Sequence, residues 1–387
     1  MLRRFVLLGL VLTACTGRSG SEDTSRPVST STSTSTAPTT TTSTAMTVKG
    51  PGNCPELEPA ESADRDGSAL SIQMVSDQQG WAVGNGTILH TDDGRHWIQQ
   101  HRGPEQFVSV NAVDAAHAWA VGTHELLGTT DGGRTWSRLG SPAAGLLVVH
   151  FAGPDLGWGV GAKQLFRSTD GGRTWEPLAT PCGAEAVCFT AHDDGWVGAG
   201  DRIWRSTDGG ATWSAALDVP GARGFSMGLP VHDLQCARPG AVWAYFTPQH
   251  TNGALGHSAY VAYQGSATGG WTPVMKENYV GSADVEAPNG GSYPGPFSSL
   301  GPSEAVFITY TPPVEVPVGM VIASEAGRKL SQERPVPGLN EAYSASFRSR
   351  HLGWVVGRSK LEDGNTGASV ILATRDGGRT WEEQYRA

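Results

Sequence analysis

Residues 157–175 open with Gly157-Trp158-Gly159-Val160-Gly161. After seven more residues they close with Thr169-Asp170-Gly171-Gly172-Arg173-Thr174-Trp175. The first phrase is a short apolar run bounded by glycines, the form of a buried strand. The second sets Asp and two Gly between strands. There an Asp accepts hydrogen bonds from backbone N–H groups two residues on, and Gly supplies positive φ. Thr and Trp then resume an extended segment, and the indole buries a large area against neighbouring strands.

The same pair of phrases returns in both directions. Upstream stand Gly80-Trp81-Ala82-Val83-Gly84 with Thr91-Asp92-Asp93-Gly94-Arg95-His96-Trp97, and Ala118-Trp119-Ala120-Val121-Gly122 with Thr130-Asp131-Gly132-Gly133-Arg134-Thr135-Trp136. Downstream stand Gly195-Trp196-Val197-Gly198 with Thr207-Asp208-Gly209-Gly210-Ala211-Thr212-Trp213. The last copy is Gly353-Trp354-Val355-Val356-Gly357 with Arg375-Asp376-Gly377-Gly378-Arg379-Thr380-Trp381. The closing residues Trp97, Trp136, Trp175 and Trp213 are spaced by 39, 39 and 38. Weaker copies start at Ala241-Val242-Trp243-Ala244-Tyr245 and Ala305-Val306-Phe307-Ile308-Thr309, and neither keeps the Asp. Of 13 Trp residues, all but Trp204 fall at repeat positions.

A unit of about forty residues that alternates apolar strands with Gly/Asp turns is a four-stranded antiparallel sheet. In the third copy the strands are predicted near 147–152, 157–161, 164–168 and 174–178. One such sheet cannot bury both faces alone, so neighbours must stack, and radial stacking makes a propeller. Starts at Trp81, Trp119, Trp158, Trp196, Trp243, Phe307 and Trp354 predict an all-β, seven-bladed β-propeller over residues 68–387, led in by 51–67. Asp92, Asp131, Asp170, Asp208 and Asp376 are read as turn locks, and Trp97, Trp136, Trp175, Trp213 and Trp381 as their packing partners.

At these residues the Asp-Gly-Gly-Arg-Thr-Trp turn resembles the Asp-box, or bacterial neuraminidase repeat. Its pairing with Gly-Trp-Ala-Val-Gly resembles the photosystem II assembly-factor propellers and their bacterial relatives, over residues 70–387, least faithfully in 230–340. That resemblance implies a non-enzymatic seven-bladed propeller that binds a protein partner and needs no cofactor. A sialidase is the enzymatic alternative that shares the Asp-box. Its kind resembles one another in an arginine triad, a Tyr–Glu nucleophile pair and usually six blades. A planar guanidinium cluster is what carboxylate recognition needs. Here the first strand, Ser68 to Ser76, holds no Arg, while Glu341, Tyr343 and Arg348 fall together on the innermost strand of the last blade, an isolated trio read as solvated surface and not as a catalytic set.

The N-terminus is an address. Arg3 and Arg4 precede an eight-residue apolar core, Phe5 to Leu12, too short to span a bilayer. Leu12-Thr13-Ala14-Cys15 resembles the bacterial lipobox, which implies cleavage after residue 14 and lipidation of Cys15. Twenty of the next 35 residues, 16–50, are Ser or Thr, so this stretch has little to bury and is expected to be a disordered tether, open to O-linked sugars. The chain is thereby expected on the outer face of the cell membrane, held through lipid alone, with a protein or a glycan of the cell envelope as its partner.

The net charge of −9 and the absence of any run of Lys and Arg argue against nucleic acid as a partner. Among 11 His, the grouping His90, His96 and His101 lacks metal-site spacing, so no metal is expected and loop or surface positions are. No Gly-rich segment has the phosphate-loop form. Besides Cys15 there are Cys54, Cys182, Cys188 and Cys236, an even set that fits an oxidising compartment. Cys182 and Cys188 flank a five-residue loop and are placed to pair locally, leaving Cys54 for Cys236; three connectivities exist in all. Propellers bind on loops at one mouth of the central channel. The insertion holding His250, Asn252 and His257, the segment 289–297 and the Pro-rich 312–317 are therefore the expected contact loops.

Overall fold

The computed structural model describes residues 47–49, 71–142, 145–162, 164–219, 231–237, 241–246, 260–266, 270–277, 293–310, 318–361 and 366–387. All of them belong to the compact unit Ala45–Ala387. The described residues contain strands and turns and no helix, folded as a seven-bladed β-propeller of antiparallel sheets.

Blade 1 runs Ser71–Met74, Gly80–Gly84, Thr87–Thr91 and Ile98–Arg102 from the axis outward. Blade 2 runs Phe107–Ala112, Ala118–Gly122, Leu126–Thr129 and Ser137–Arg138. Blade 3 runs Val148–Phe151, Gly157–Gly161, Gln164–Ser168 and Glu176–Pro177. Blade 4 runs Ala184–Phe189, Gly195–Ala199, Arg202–Ser206 and Thr212–Asp218. Blade 5 runs Val231–Ala237, Ala241–Phe246, Tyr260–Ser266 and Trp271–Glu277. Blade 6 has Tyr293–Ser299, Ala305–Tyr310 and Gly319–Ser324, then an outer strand split into Lys329–Leu330 and Arg334–Pro335. Blade 7 runs Leu339–Phe347, Gly353–Lys360, Thr366–Thr374 and Glu382–Arg386. Thr47–Lys49, the end of the segment read above as a disordered tether, pairs antiparallel with the outer edge of blade 4 as a fifth strand. An exposed edge offers unpaired backbone groups that any extended segment satisfies.

The core is divided among the blade interfaces. Each of seven apolar clusters joins two successive blades, from the Trp81–Phe107 cluster of blades 1 and 2 to the Trp354–Ile72 cluster of blades 7 and 1. The first-phrase tryptophans are fully buried there, and Trp119 and Trp158 stack on Phe151 and Phe189 of the next blade at 3.6 Å. Size is matched within a blade too. A Cβ on Gly353 would lie 2.0 Å from the ring of Phe347, its cross-strand partner, whereas Ala118 faces the small Ala112.

The two repeated phrases meet across blades. Trp119 Nε1 donates to the carbonyl of Gly171 at 2.9 Å and Trp158 Nε1 to that of Gly209 at 3.0 Å, each in the Asp turn of the following blade. Trp354 Nε1 closes the ring on Gly94 O at 3.3 Å. Blade 1 uses a relay, Trp81 Nε1 to Gln100 Oε1 and Gln100 Nε2 to Gly132 O. Blade 6 has Phe307 where others have Trp, and there the Arg334 guanidinium donates to Gly377 O. Each bond satisfies a carbonyl that the turn leaves without a backbone partner, at the edge of a buried interface.

Within the turns the carboxylate reaches further than the two residues expected. Asp131 Oδ1 accepts from Thr135 N, four residues on, and from Thr129 Oγ1, both at 2.9 Å, while Oδ2 accepts from Thr135 Oγ1 at 2.7 Å. Asp170, Asp208 and Asp376 repeat this pattern with Thr174, Thr212 and Thr380. In blade 1 the residue aligned with them is a correction. Asp93, not Asp92, accepts from the amides of Arg95 and His96 at 2.8 Å. The first turn is one residue shorter from strand end (Thr91) to Trp97, so the carboxylate that reaches the turn amides is one place later. Trp213 is fully buried, and Trp97, Trp136, Trp175 and Trp381 are half-buried at the start of the outer strands.

Candidate functional site

The innermost strands of the blades surround a central cavity of about 1290 Å³. Its wall is held by a second ring of joints. The residue opposite the phrase Trp in six blades is Gln73, Asn111, His150, Cys188, Gln235 and Ser346. Gln73 Oε1 accepts from Ala112 N at 3.0 Å, and Asn111 Oδ1 from Phe151 N at 2.9 Å. His150 Nε2 donates to Phe189 O at 2.9 Å. Gln235 Oε1 accepts from Ser299 N at 2.9 Å, Ser298 Oγ from Phe347 N at 2.9 Å, and Ser346 Oγ from Met74 N at 3.0 Å. The remaining joint, from blade 4 to blade 5, is the disulfide Cys188–Cys236.

That bond corrects the expected local pair of Cys182 with Cys188. Cys188 sits within an innermost strand with its side chain toward the next blade, where Cys236 stands at the place of Ala112, Phe151 and Phe189. Cys182 is itself in another disulfide. Cys54 and Cys15 lie outside the described residues, as do His250, Asn252, His257 and segment 312–317. Of segment 289–297, the stretch from Tyr293 is the innermost strand of blade 6.

Besides His150, the titratable side chains of the cavity wall among the described residues are Asp114, Asp233, Glu341, Tyr343 and Arg348. Burial pushes the Asp233 carboxyl up to about 6, against hydrogen bonds from Leu234 N and Gln235 Nε2. Burial also acts on Asp114, yet amide bonds from Ala116 and His117 and the His117 ring outweigh it and hold that carboxyl low. Tyr343 Oη donates to Glu341 Oε2. Arg348, expected beside that pair, is five residues further along the chain, roughly 16 Å at the rise of a strand. Its Nε lies 4.0 Å from Asp77 Oδ1. Among the described residues lining the cavity it is the one arginine, so the Tyr–Glu pair stands without the guanidinium cluster that binding a sugar carboxylate requires.

The three histidines do not form a site. His90, placed above in a loop or on the surface, lies in a strand and is 4% exposed. Its ring packs on Trp81 at 4.8 Å, and desolvation lowers its pKa. His96 bonds Asp93, and His101 meets the ring of Phe107 edge-on. Among the described residues no cluster of three or more His, Cys, Asp or Glu is placed to hold a metal ion. Among the described residues no helix is long and apolar enough to cross a membrane.

Fold and turns together define an Asp-box β-propeller with seven blades. The BNR/Asp-box repeat pattern matches residues 166–177 and 204–215, the third and fourth turns. Solved structures similar to this chain include YCF48 bound to D1 peptide, at 14% identity and a TM-score of 0.54, over 85% of this chain and 94% of that one. The GH74 xyloglucanase from Xanthomonas campestris is similar at 12% identity and a TM-score of 0.61, over 88% of this chain and 56% of that one. U3-55K is similar at 10% identity and a TM-score of 0.55, over 79% and 95%. No curated protein matches the chain. At these identities the likeness is one of fold.

Proposed function

We propose that this chain is an exported lipoprotein whose propeller binds a protein segment at its central cavity and catalyses no reaction. The observation that carries this reading is the cavity of about 1290 Å³, walled by the joints between blades, in which the described lining residues bring no substrate-orienting cluster beside a paired acid and nucleophile. Pockets of this size bury a small ligand or a short peptide. YCF48, of similar fold, is a propeller with a peptide bound. Lipidation at Cys15 and the Ser/Thr-rich segment after it would hold the propeller on the outer face of the membrane, within reach of envelope proteins.

Photo-crosslinking on intact cells tests the binding role. A crosslinker at position 109, in the cavity wall, is expected to capture a defined protein, and one at 176, on the outer edge of blade 3, is not. Equal capture from both positions would sink the reading. Cys15→Ser is expected to move the chain from the membrane fraction to the medium.

The Tyr343–Glu341 hydrogen bond and the xyloglucanase-like fold favour one competing reading, a glycoside hydrolase. A panel of fluorogenic glycosides decides between them. Hydrolysis that disappears in Tyr343→Phe would replace a binding role with a catalytic one.

A further inference from the structure

The sequence holds no run of Lys and Arg, yet the fold assembles a basic cleft from four separate stretches. It lies between blades 6 and 7, outside the central cavity, and encloses about 340 Å³. Lys329, Arg334, Arg350, His351 and Arg379 line it over a floor that includes Ile322 and Leu330. Blade 6 carries no Asp-Gly-Gly turn. Its outer strand is split, with Lys329 paired to Ser324 and Arg334 to Met320, at opposite ends of the strand beneath. Between the two halves, Ser331 N donates to Ile322 O and Ser331 Oγ accepts from Ile322 N, both at 2.9 Å, which anchors the gap open.

Three of the basic heads, those of Arg334, His351 and Arg379, meet at one turn. A Cβ built on Gly377 would lie 3.3 Å from Arg334 Nη1 and 3.4 Å from His351 Nδ1. Arg379 belongs to that same turn and donates to the carbonyl of Asp376 at 2.9 Å. Arg350 has Glu304 as a counter-ion. The Lys329 and Arg379 side chains have no acidic partner among the described residues. Four permanent positive charges therefore line the cleft beside two carboxylates, Glu304 on Arg350 and Asp376, whose Oδ1 accepts from Arg379 N at 3.0 Å, in a chain whose net charge is −9. Like charges gathered in one cleft repel one another, and an anion with more than one negative charge relieves this where a single carboxylate does not. Guanidinium forks match the oxygens of phosphate two at a time.

We propose that the cleft between blades 6 and 7 binds a phosphate group, carried either on a small soluble molecule or on a lipid headgroup. The phosphate sits among Lys329, Arg379 and His351, and the carbon skeleton attached to it lies on Ile322 and Leu330. The site is independent of whether the central cavity takes a peptide.

Calorimetric titration of the full chain in detergent tests this, at constant ionic strength, with two probes. One is inorganic phosphate and the other is dihexanoyl phosphatidylglycerol. Saturable binding of either is expected. Tighter binding of the first assigns a soluble phosphate, and tighter binding of the second a headgroup. Lys329→Gln with Arg379→Gln is expected to weaken it about tenfold or more. Arg173→Gln, at the same turn position in blade 3, is expected to leave it unchanged. Lys329→Gln alone makes no change to any hydrogen bond of the fold, and is expected to weaken binding about threefold, which keeps the test readable if the double variant unfolds. No saturation by either probe, or equal affinity in the Lys329 and Arg173 variants, would overturn the proposal.

Discussion

Blades 3 and 6 make the same joint with different chemistry. In blade 3 an indole does both tasks. Trp158 stacks on Phe189 and donates to Gly209 O. In blade 6 the tasks are split between Phe307, which is buried, and Arg334, which reaches Gly377 O from the outer strand. The division frees the outer strand of blade 6 from the Asp-turn geometry, and the basic cleft opens there. Trp158→Ala is expected to cost about 3–5 kcal/mol, the range for deleting a large core aromatic. Arg334→Met, which leaves a turn carbonyl unsatisfied but little cavity, is expected to cost about 1–3 kcal/mol. Urea denaturation compares them; an equal loss would show that the hydrogen bond, not the packing, governs the joint.

The inner ring offers the same contrast at smaller scale. Six joints are hydrogen bonds between a side chain and a backbone group, and the seventh is covalent. A disulfide also restrains the unfolded chain, here over 48 residues. Cys188→Ala with Cys236→Ala is therefore expected to cost about 2–4 kcal/mol, and Asn111→Ala about 1 kcal/mol. Both are read from chemical denaturation midpoints at equal slope. A loss no greater in the cysteine pair than in Asn111→Ala would mean that the covalent joint acts only as one more contact in the folded ring.

Much of this was legible in the residues. The Trp phrases give seven blades because each strand is short, apolar and glycine-bounded, and the third copy's strands fall within one residue of their expected bounds except at the outer strand. That strand, Glu176–Pro177, is exposed and shorter than the expected 174–178, since outside the core little fixes its length. The joints were not read, because they link residues that pattern within one repeat does not connect. A signal for them exists. The residue eight before each phrase Trp is Gln73, Asn111, His150, Cys188, Gln235 and Ser346. Five polar residues at one register position mark a shared task, and a cysteine in that series points to the next blade rather than to its neighbour Cys182. Arg348 shows the same limit from the other side. Proximity in sequence along a strand is distance in space, while the basic cleft draws on residues as far apart as 329 and 379.

The smallest expected effect sets the Asp-turn blades against blade 5 through pH. The amide and hydroxyl of Thr380 lower the Asp376 carboxyl to about 2, and those of Thr135 do the same for Asp131. An unfolded Asp titrates near 3.8. Depression in the fold means that these groups stabilise fully above that value and lose the contribution as pH falls from about 4 towards 2. Asp233 has the opposite sign. Its folded value of about 6 lies above the unfolded one, so ionisation opposes folding. This group costs nothing below pH 4, costs more as pH rises to 6, and costs its full amount beyond. Urea midpoints at pH 2.5, 4, 6 and 8 separate the two. Asp376→Asn is expected to lower the midpoint at pH 4, 6 and 8, change it least at pH 2.5, and so flatten the acid limb. Asp233→Asn is expected to raise the midpoint at pH 8 and leave it unchanged at pH 4. If Asp233→Asn instead lowers stability at pH 8, its bonds to Leu234 and Gln235 outweigh the burial of its charge, and the innermost strand of blade 5 is held by that carboxylate rather than strained by it.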